Sequence, residues 1–185
     1  MNLSRPLLGL LLIISVVMAG PSCAKDDTSR EQTSSSGQQQ EGSQTKWLGF
    51  NDGVVKAKTE DKPIFVEFYT DWCPYCKKFQ KETVNERNVT RMLAENFVYV
   101  RLNAEDSKNR VKFQGKSLSN VELTNSLGIS AYPSLVFLDS GGQPITMLSG
   151  FVPARQFLSV LDYIQQKCYQ TQISFRDFTK MGNCN

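Results

Sequence analysis

Cys73 and Cys76 stand two residues apart in the stretch DWCPYC (Asp71–Cys76), with Pro74 and Tyr75 between them and Trp72 just ahead. Cysteines at this spacing serve a redox disulfide, half of a metal site, or a pair of inert buried thiols. A zinc centre would ordinarily repeat the same short spacing, but the next cysteines, Cys168 and Cys184, are separated by 15 residues. No metal site is expected on that ground. The 185 residues include no histidine, which removes Ser–His and Cys–His nucleophile pairs, histidine zinc ligands and histidine general bases. The net charge is +3, with no basic block and no interleaving of aromatic and basic residues. No nucleic-acid partner is expected.

What surrounds the pair decides between reactive and inert thiols. IFVEFY (Ile64–Tyr69) follows Pro63 as a nearly continuous apolar run, the pattern of a strand buried on both faces. CPYCKKFQKETV then starts a helix, with Pro74 in the first turn where its missing N–H costs nothing. The pair therefore sits at a helix N-terminus, where unpaired N–H groups and the helix dipole stabilise a thiolate on Cys73. One helical turn brings the second sulfur within disulfide reach. Cys73, at the mouth, is the expected nucleophile, and Cys76, a turn deeper, the expected resolving cysteine.

The remaining elements read as a frame for this junction. NVTRMLAENF forms a short helix capped by Asn88, and VYVRL (Val98–Leu102) a second strand. NVELTNSLG ends a helix at Gly128. Ser134–Leu138 and Ile145–Leu148 form a hairpin turning through Ser140-Gly141-Gly142, and PARQFLSVLDYIQQ is an amphipathic helix opened by Pro153. This order predicts an α/β protein with a central mixed sheet covered by helices on both faces. The polar stretch at 107–119 reads as an inserted loop.

Both ends carry further signals. Arg5 followed by a largely apolar run of 12 residues (Leu7–Met18) matches an export signal and falls short of the ~20 that span a membrane. It ends either at an ordinary small-residue site, Val17-Met18-Ala19, or at GPSC, which resembles the lipobox of bacterial lipoproteins and would make Cys23 the lipidated residue. With Cys23 lipidated, the five cysteines leave four that can pair. The stretch 24–45 has no aromatic residue and no aliphatic larger than alanine, so it reads as a polar tether. In the tail, Ser174 and Asp177 suggest a capping box, Ile173 and Phe178 a hydrophobic staple, and Gly182 a stop. A short helix folding back there would bring Cys168 and Cys184 together as a disulfide; two separate thiols are the alternative. The expected organisation is a signal over 1–22, a tether over 23–45, a domain over 46–167 and a tail over 168–185.

Taken together, VEFYTDWCPYCKKF, GISAYPSLVFLDSGG and GFVPARQF resemble the thioredoxin-like family, and within it the periplasmic, reductive thiol:disulfide interchange domains. The resemblance covers nearly all of 46–166. It implies the thioredoxin fold, a redox disulfide between Cys73 and Cys76, and no cofactor. It also implies a cis proline facing the pair at Pro133, preceded by Tyr132. A buried acid that accepts a proton falls on Glu67, which could equally form a structural ion pair with the base that falls on Arg101. Gly150 takes the place of a small residue near the disulfide, and Trp72, Pro74 and Tyr75 line the substrate's approach. The implied function is an extracytoplasmic thiol–disulfide oxidoreductase acting on exported proteins, reduced by a membrane electron carrier and touching the membrane only through the lipid. A disulfide oxidase or isomerase, or a non-catalytic binding module, are the alternatives.

Overall fold

The sheet is built around one strand that can afford no exposed face. In the computed structural model, which describes residues 46–184, β1 (Ile64–Tyr69) lies inside a four-stranded sheet, between the strands Val98–Asn103 (β2) and Ser134–Leu138 (β5), with Pro144–Ser149 (β6) beyond the latter. The predicted export signal, the Cys23 lipid site and the 23–45 tether lie outside the described residues. Strand β1 pairs in parallel with β2 and antiparallel with β5, which pairs antiparallel with β6. This is the mixed sheet expected, with helices on both faces.

Alternation along β1 splits the core in two. Ile64, Val66 and Phe68 pack with Phe50 and Ala57 of α1 (Phe50–Glu60) and Leu123 of α4 (Asn120–Ser126). Helix α1 carries no strong apolar stripe, so local pattern does not announce it. It lies close on the sheet because Gly53 meets Val100, where a Cβ would collide. On the other face, Phe65 packs with Phe79, Val89 and Leu93, and with Phe157 and Leu161 of α5 (Ala154–Gln165). Ring centroids of Phe65 lie 5.3 Å from Phe137 and 5.2 Å from Phe157. Each such buried aromatic side chain contributes roughly 2–3 kcal/mol.

Two local expectations are corrected. The helix α3 (Arg87–Asn96) is capped by Glu86, not Asn88: the Glu86 carboxylate accepts from the backbone N–H of both Asn88 and Val89. The helix thus begins two residues earlier than expected, and the Glu86 carboxylate satisfies the N–H groups of its second and third residues, the donors an N-cap ordinarily takes. The 107–119 stretch is not a plain loop. It holds an antiparallel hairpin, β3 (Arg110–Phe113) and β4 (Lys116–Ser119), turning at Gln114 (φ 47°) and Gly115 (φ 77°). Two successive positive-φ residues suit a tight hairpin turn. Val111 and Phe113 alternate into the core, a short pattern diluted by the polar residues around it.

The tail folds back as foreseen for Ser174 and Gly182. Helix α6 (Phe175–Met181) starts at Ser174, whose hydroxyl accepts from Asp177 N–H, and stops at Gly182 (φ 77°). Phe175 and Phe178 set their rings against Tyr163 of α5, at 5.5 and 5.3 Å. Cys168, fully buried, and Cys184 form a disulfide. In the chain-entropy account, closing a loop of this length stabilises by ~3 kcal/mol. A Cys184→Ser protein is therefore expected to lose about that much in urea-denaturation experiments, with little effect if the bond is absent in solution.

Candidate active site

The C-terminal end of β1 delivers the chain directly into α2 (Pro74–Phe79). Between them Cys73 N–H donates to the Thr70 carbonyl at 3.2 Å, closing the turn. Cys73 is the N-cap residue, in extended conformation, and its Sγ accepts from the Cys76 N–H at 3.0 Å. The helix terminus thus aims one of its orphan donors at the sulfur. Pro74 occupies the first turn, and α2 continues as one π-helical stretch, Gln80–Val84.

Cys73 and Cys76 are joined as a disulfide with Cα atoms 5.3 Å apart. Burial does not separate the two: they are 2% and 1% exposed. What distinguishes Cys73 is its place at the helix start, with the N–H of its partner directed at it. The four described cysteines form two disulfides, and the Cys168–Cys184 bond lies towards the other end of β1. There Lys167 pairs with Asp61, just before the strand begins, at 3.5 Å. Six strand residues, ~20 Å, therefore stand between the two bonds.

Strand pairing sets Ser134 opposite Phe68, which carries the preceding residue to the site. Tyr132–Pro133 is a cis peptide, and Pro133 is buried. Gly150, just past β6, donates its N–H to the Pro133 carbonyl at 2.7 Å. Its φ of 86° requires glycine, whereas a Cβ there would meet no atom within 4 Å, so the requirement is conformational and not one of close approach. Trp72 and Tyr75 are 64% and 59% exposed around the pair, and Pro74 is exposed.

Beneath the helix, Glu67 is fully buried in β1. Arg101, its register partner on β2, donates from Nε to Glu67 Oε2 at 3.1 Å and lies over the Tyr69 ring at 3.7 Å. Gln80, whose own N–H bonds the Cys76 carbonyl, also donates its side-chain amide to Oε2. Oε1 is left with no partner. Burial pushes the carboxyl up to about 7 from its usual 4.5, outweighing the opposing pull of Arg101 and Gln80. Structural pairing with Arg101 and proton capture on Oε1 are thus compatible. Gln80 was not singled out in the sequence, although four residues after Cys76 it shares that residue's helix face.

A family model described as "Thioredoxin-like domain" matches residues 50–165. The thiol:disulfide interchange protein DsbD of Yersinia pestis is 32% identical over 110 residues, which are 58% of this chain and 17% of that protein. The chain thus spans only about a sixth of the curated relatives it matches. A thioredoxin-fold protein from Helicobacter pylori superposes with a TM-score of 0.56 at 28% identity, over 66% of this chain and 80% of that one. A thioredoxin from Thermus thermophilus gives 0.55 at 21% identity, over 65% and 87%, and speaks for the fold alone.

The raised carboxyl has a measurable consequence. Below about pH 4.5 Glu67 is protonated in both folded and unfolded chains, and its burial carries no ionisation penalty. Between 4.5 and 7 the unfolded chain ionises first, so stability falls as pH rises, and above 7 the loss is complete. Glu67→Gln removes this dependence. Relative to wild type, the oxidised variant is expected to gain up to ~3 kcal/mol on going from pH 4.5 to pH 8 in urea denaturation. A difference that stays flat with pH would contradict it.

Proposed function

Since the chain belongs to the family of thioredoxin-like domains, we propose that this thiol–disulfide oxidoreductase works outside the cytoplasm, reducing disulfides in exported proteins. The observation that carries the reading is the helix-start position of Cys73, with the Cys76 N–H on its sulfur. In the reduced protein, the Cys73 thiolate attacks one sulfur of a substrate disulfide. A mixed disulfide forms, and the other substrate sulfur leaves as a thiolate and takes a proton. Cys76 gives its proton to Glu67 Oε1 and attacks Cys73 Sγ. The Cys73–Cys76 bond forms and the second substrate thiolate leaves, to be protonated in turn. Two electrons pass from the cysteine pair to the substrate, and the two protons its thiols take come from solvent, which also receives the proton Cys73 lost on ionising and, through Glu67, the proton of Cys76. The backbone around the cis Tyr132–Pro133 bond, just ahead of β5, offers the substrate segment an edge on which to pair.

The export-type signal of 1–22 and the pairing of all four described cysteines support an oxidising compartment. Cys23 would carry the lipid, and the 23–45 tether would let the domain reach large substrates. The motif resemblance to reductive periplasmic domains supports the reductive direction, with a membrane electron carrier restoring the dithiol.

Single cysteine variants test this. Cys76→Ser is expected to accumulate mixed disulfides with partner proteins on non-reducing gels, because attack proceeds and resolution does not. Cys73→Ser is expected to accumulate few. Equal trapping by both would reverse the assignment of nucleophile and resolver, and none by either would favour a binding module. A pair found mostly oxidised in cells would point to an oxidase or isomerase.

A further inference from the structure

Six of the described acids, Glu60, Asp61, Glu67, Glu82, Glu122 and Asp177, are each matched by a lysine or arginine. Eight others form no ion pair, and two of these, Glu105 and Asp71, flank the disulfide segment. Glu105 is exposed in the loop after β2, and its two carboxylate oxygens lie 3.0 and 3.1 Å from Trp72 Nε1. The Trp72 indole meets the Tyr132 ring edge-on, with centroids 6.2 Å apart. Trp72 precedes Cys73, and Tyr132 precedes Pro133. The carboxylate therefore stands where the nucleophile's segment meets the segment on which a substrate would pair. Its charge is felt there: burial, and secondarily Glu105, hold the Tyr132 phenol above its ordinary value.

The position is held firmly. Glu105 N–H donates to Asn103 Oδ1 at 2.9 Å, and the same Asn103 amide donates to Asp71 Oδ2 at 3.1 Å. Asn103 is in turn held by Asn120, whose amide donates to its carbonyl at 3.0 Å. Both acids are fixed to the end of β2 and do not trail in solvent. Lys77 and Lys108, the bases nearest in sequence, form no ion pair with either of them. On the opposite flank Lys78 is engaged by Glu82 at 3.8 Å and stands over the Phe151 ring at 4.6 Å. A chain of net charge +3 thus presents an uncompensated negative group beside its disulfide. With one indole N–H as donor, the carboxylate keeps lone pairs for a second, charged donor.

We infer that Glu105 is a specificity-determining residue of the exchange site, selecting disulfides whose flanking residues include lysine or arginine. This rests on the oxidoreductase reading above. A substrate segment pairing at Pro133 passes Tyr132 and Trp72, and a basic side chain beside its cysteine meets Glu105. The partner class is a basic segment around an accessible disulfide. Acidic segments are disfavoured by the same charge.

The test compares the pre-reduced full protein acting on two disulfide-bonded peptides that differ only in Lys or Glu beside the cysteine. At low salt the Lys peptide is expected to react about threefold to fivefold faster in kcat/KM, the range of one partly exposed ion pair. That preference should shrink as salt is raised. Glu105→Gln keeps an acceptor for the indole and removes the charge, so the ratio should fall to near one. Glu105→Lys should invert it. A wild-type ratio near one, a ratio indifferent to salt, or a ratio preserved in Glu105→Gln would overturn the inference while leaving the oxidoreductase reading intact. Failure to reduce either peptide would sink that reading, and the inference with it.

Discussion

At Tyr69 the chain leaves a strand buried on both faces, and within four residues it must begin a helix. Everything reactive in the molecule hangs on that change of direction. The turn is closed by the Thr70 carbonyl accepting from Cys73 N–H, and it makes Cys73 the first residue with a helix's unpaired donors in front of it. A helix terminus polarises only groups within its own first turn, so a displacement of one residue would put the sulfur out of reach of the Cys76 N–H. Strand β1 cannot slide to relieve such a shift. It is paired on both sides, and a one-residue slip would turn Phe65 and Glu67 onto the Ile64 face.

The same rigidity explains how a carboxylate is tolerated in the middle of the sheet. Glu67 points to the face that α2 and its π-helical continuation cover, where Arg101 and Gln80 both reach Oε2. Neither reaches Oε1. The fold thus holds one oxygen satisfied and leaves the other free, and burial places its proton affinity near neutrality. Such a group costs stability when ionised, a combination of burial and raised proton affinity commonly found where chemistry is done. Arg101 serves structure and electrostatics at once, since it also stacks over Tyr69.

The two disulfides divide the labour of the fold by position. One lies where strand becomes helix, amid exposed aromatic side chains. The other closes the far end, joining the last turn after α5 to the end of α6, where Tyr163 already holds Phe175 and Phe178. With β1 between them, the second bond restrains the chain ~20 Å from the first.

Local pattern was enough for much of this. The apolar run of β1, the Cys-Pro-Tyr-Cys helix start, the hairpin after Pro133 and the Ser174 cap are each written in adjacent residues, because strand burial, first-turn proline and capping act over a few positions. The resemblance added Pro133, Glu67 and Arg101 as partners of the pair. The sequence could not disclose α1, whose place depends on Gly53 meeting Val100, or the β3–β4 hairpin, whose two buried side chains are outnumbered by polar neighbours. Nor could it say that Gln80 would reach Glu67, or that Glu105 would cap the Trp72 indole 33 residues away. Those contacts arise only when β2 is laid beside β1 and the helix is folded over both. Which polar groups are left with a partner, and which are left without one, is a property of three-dimensional packing and not of sequence spacing.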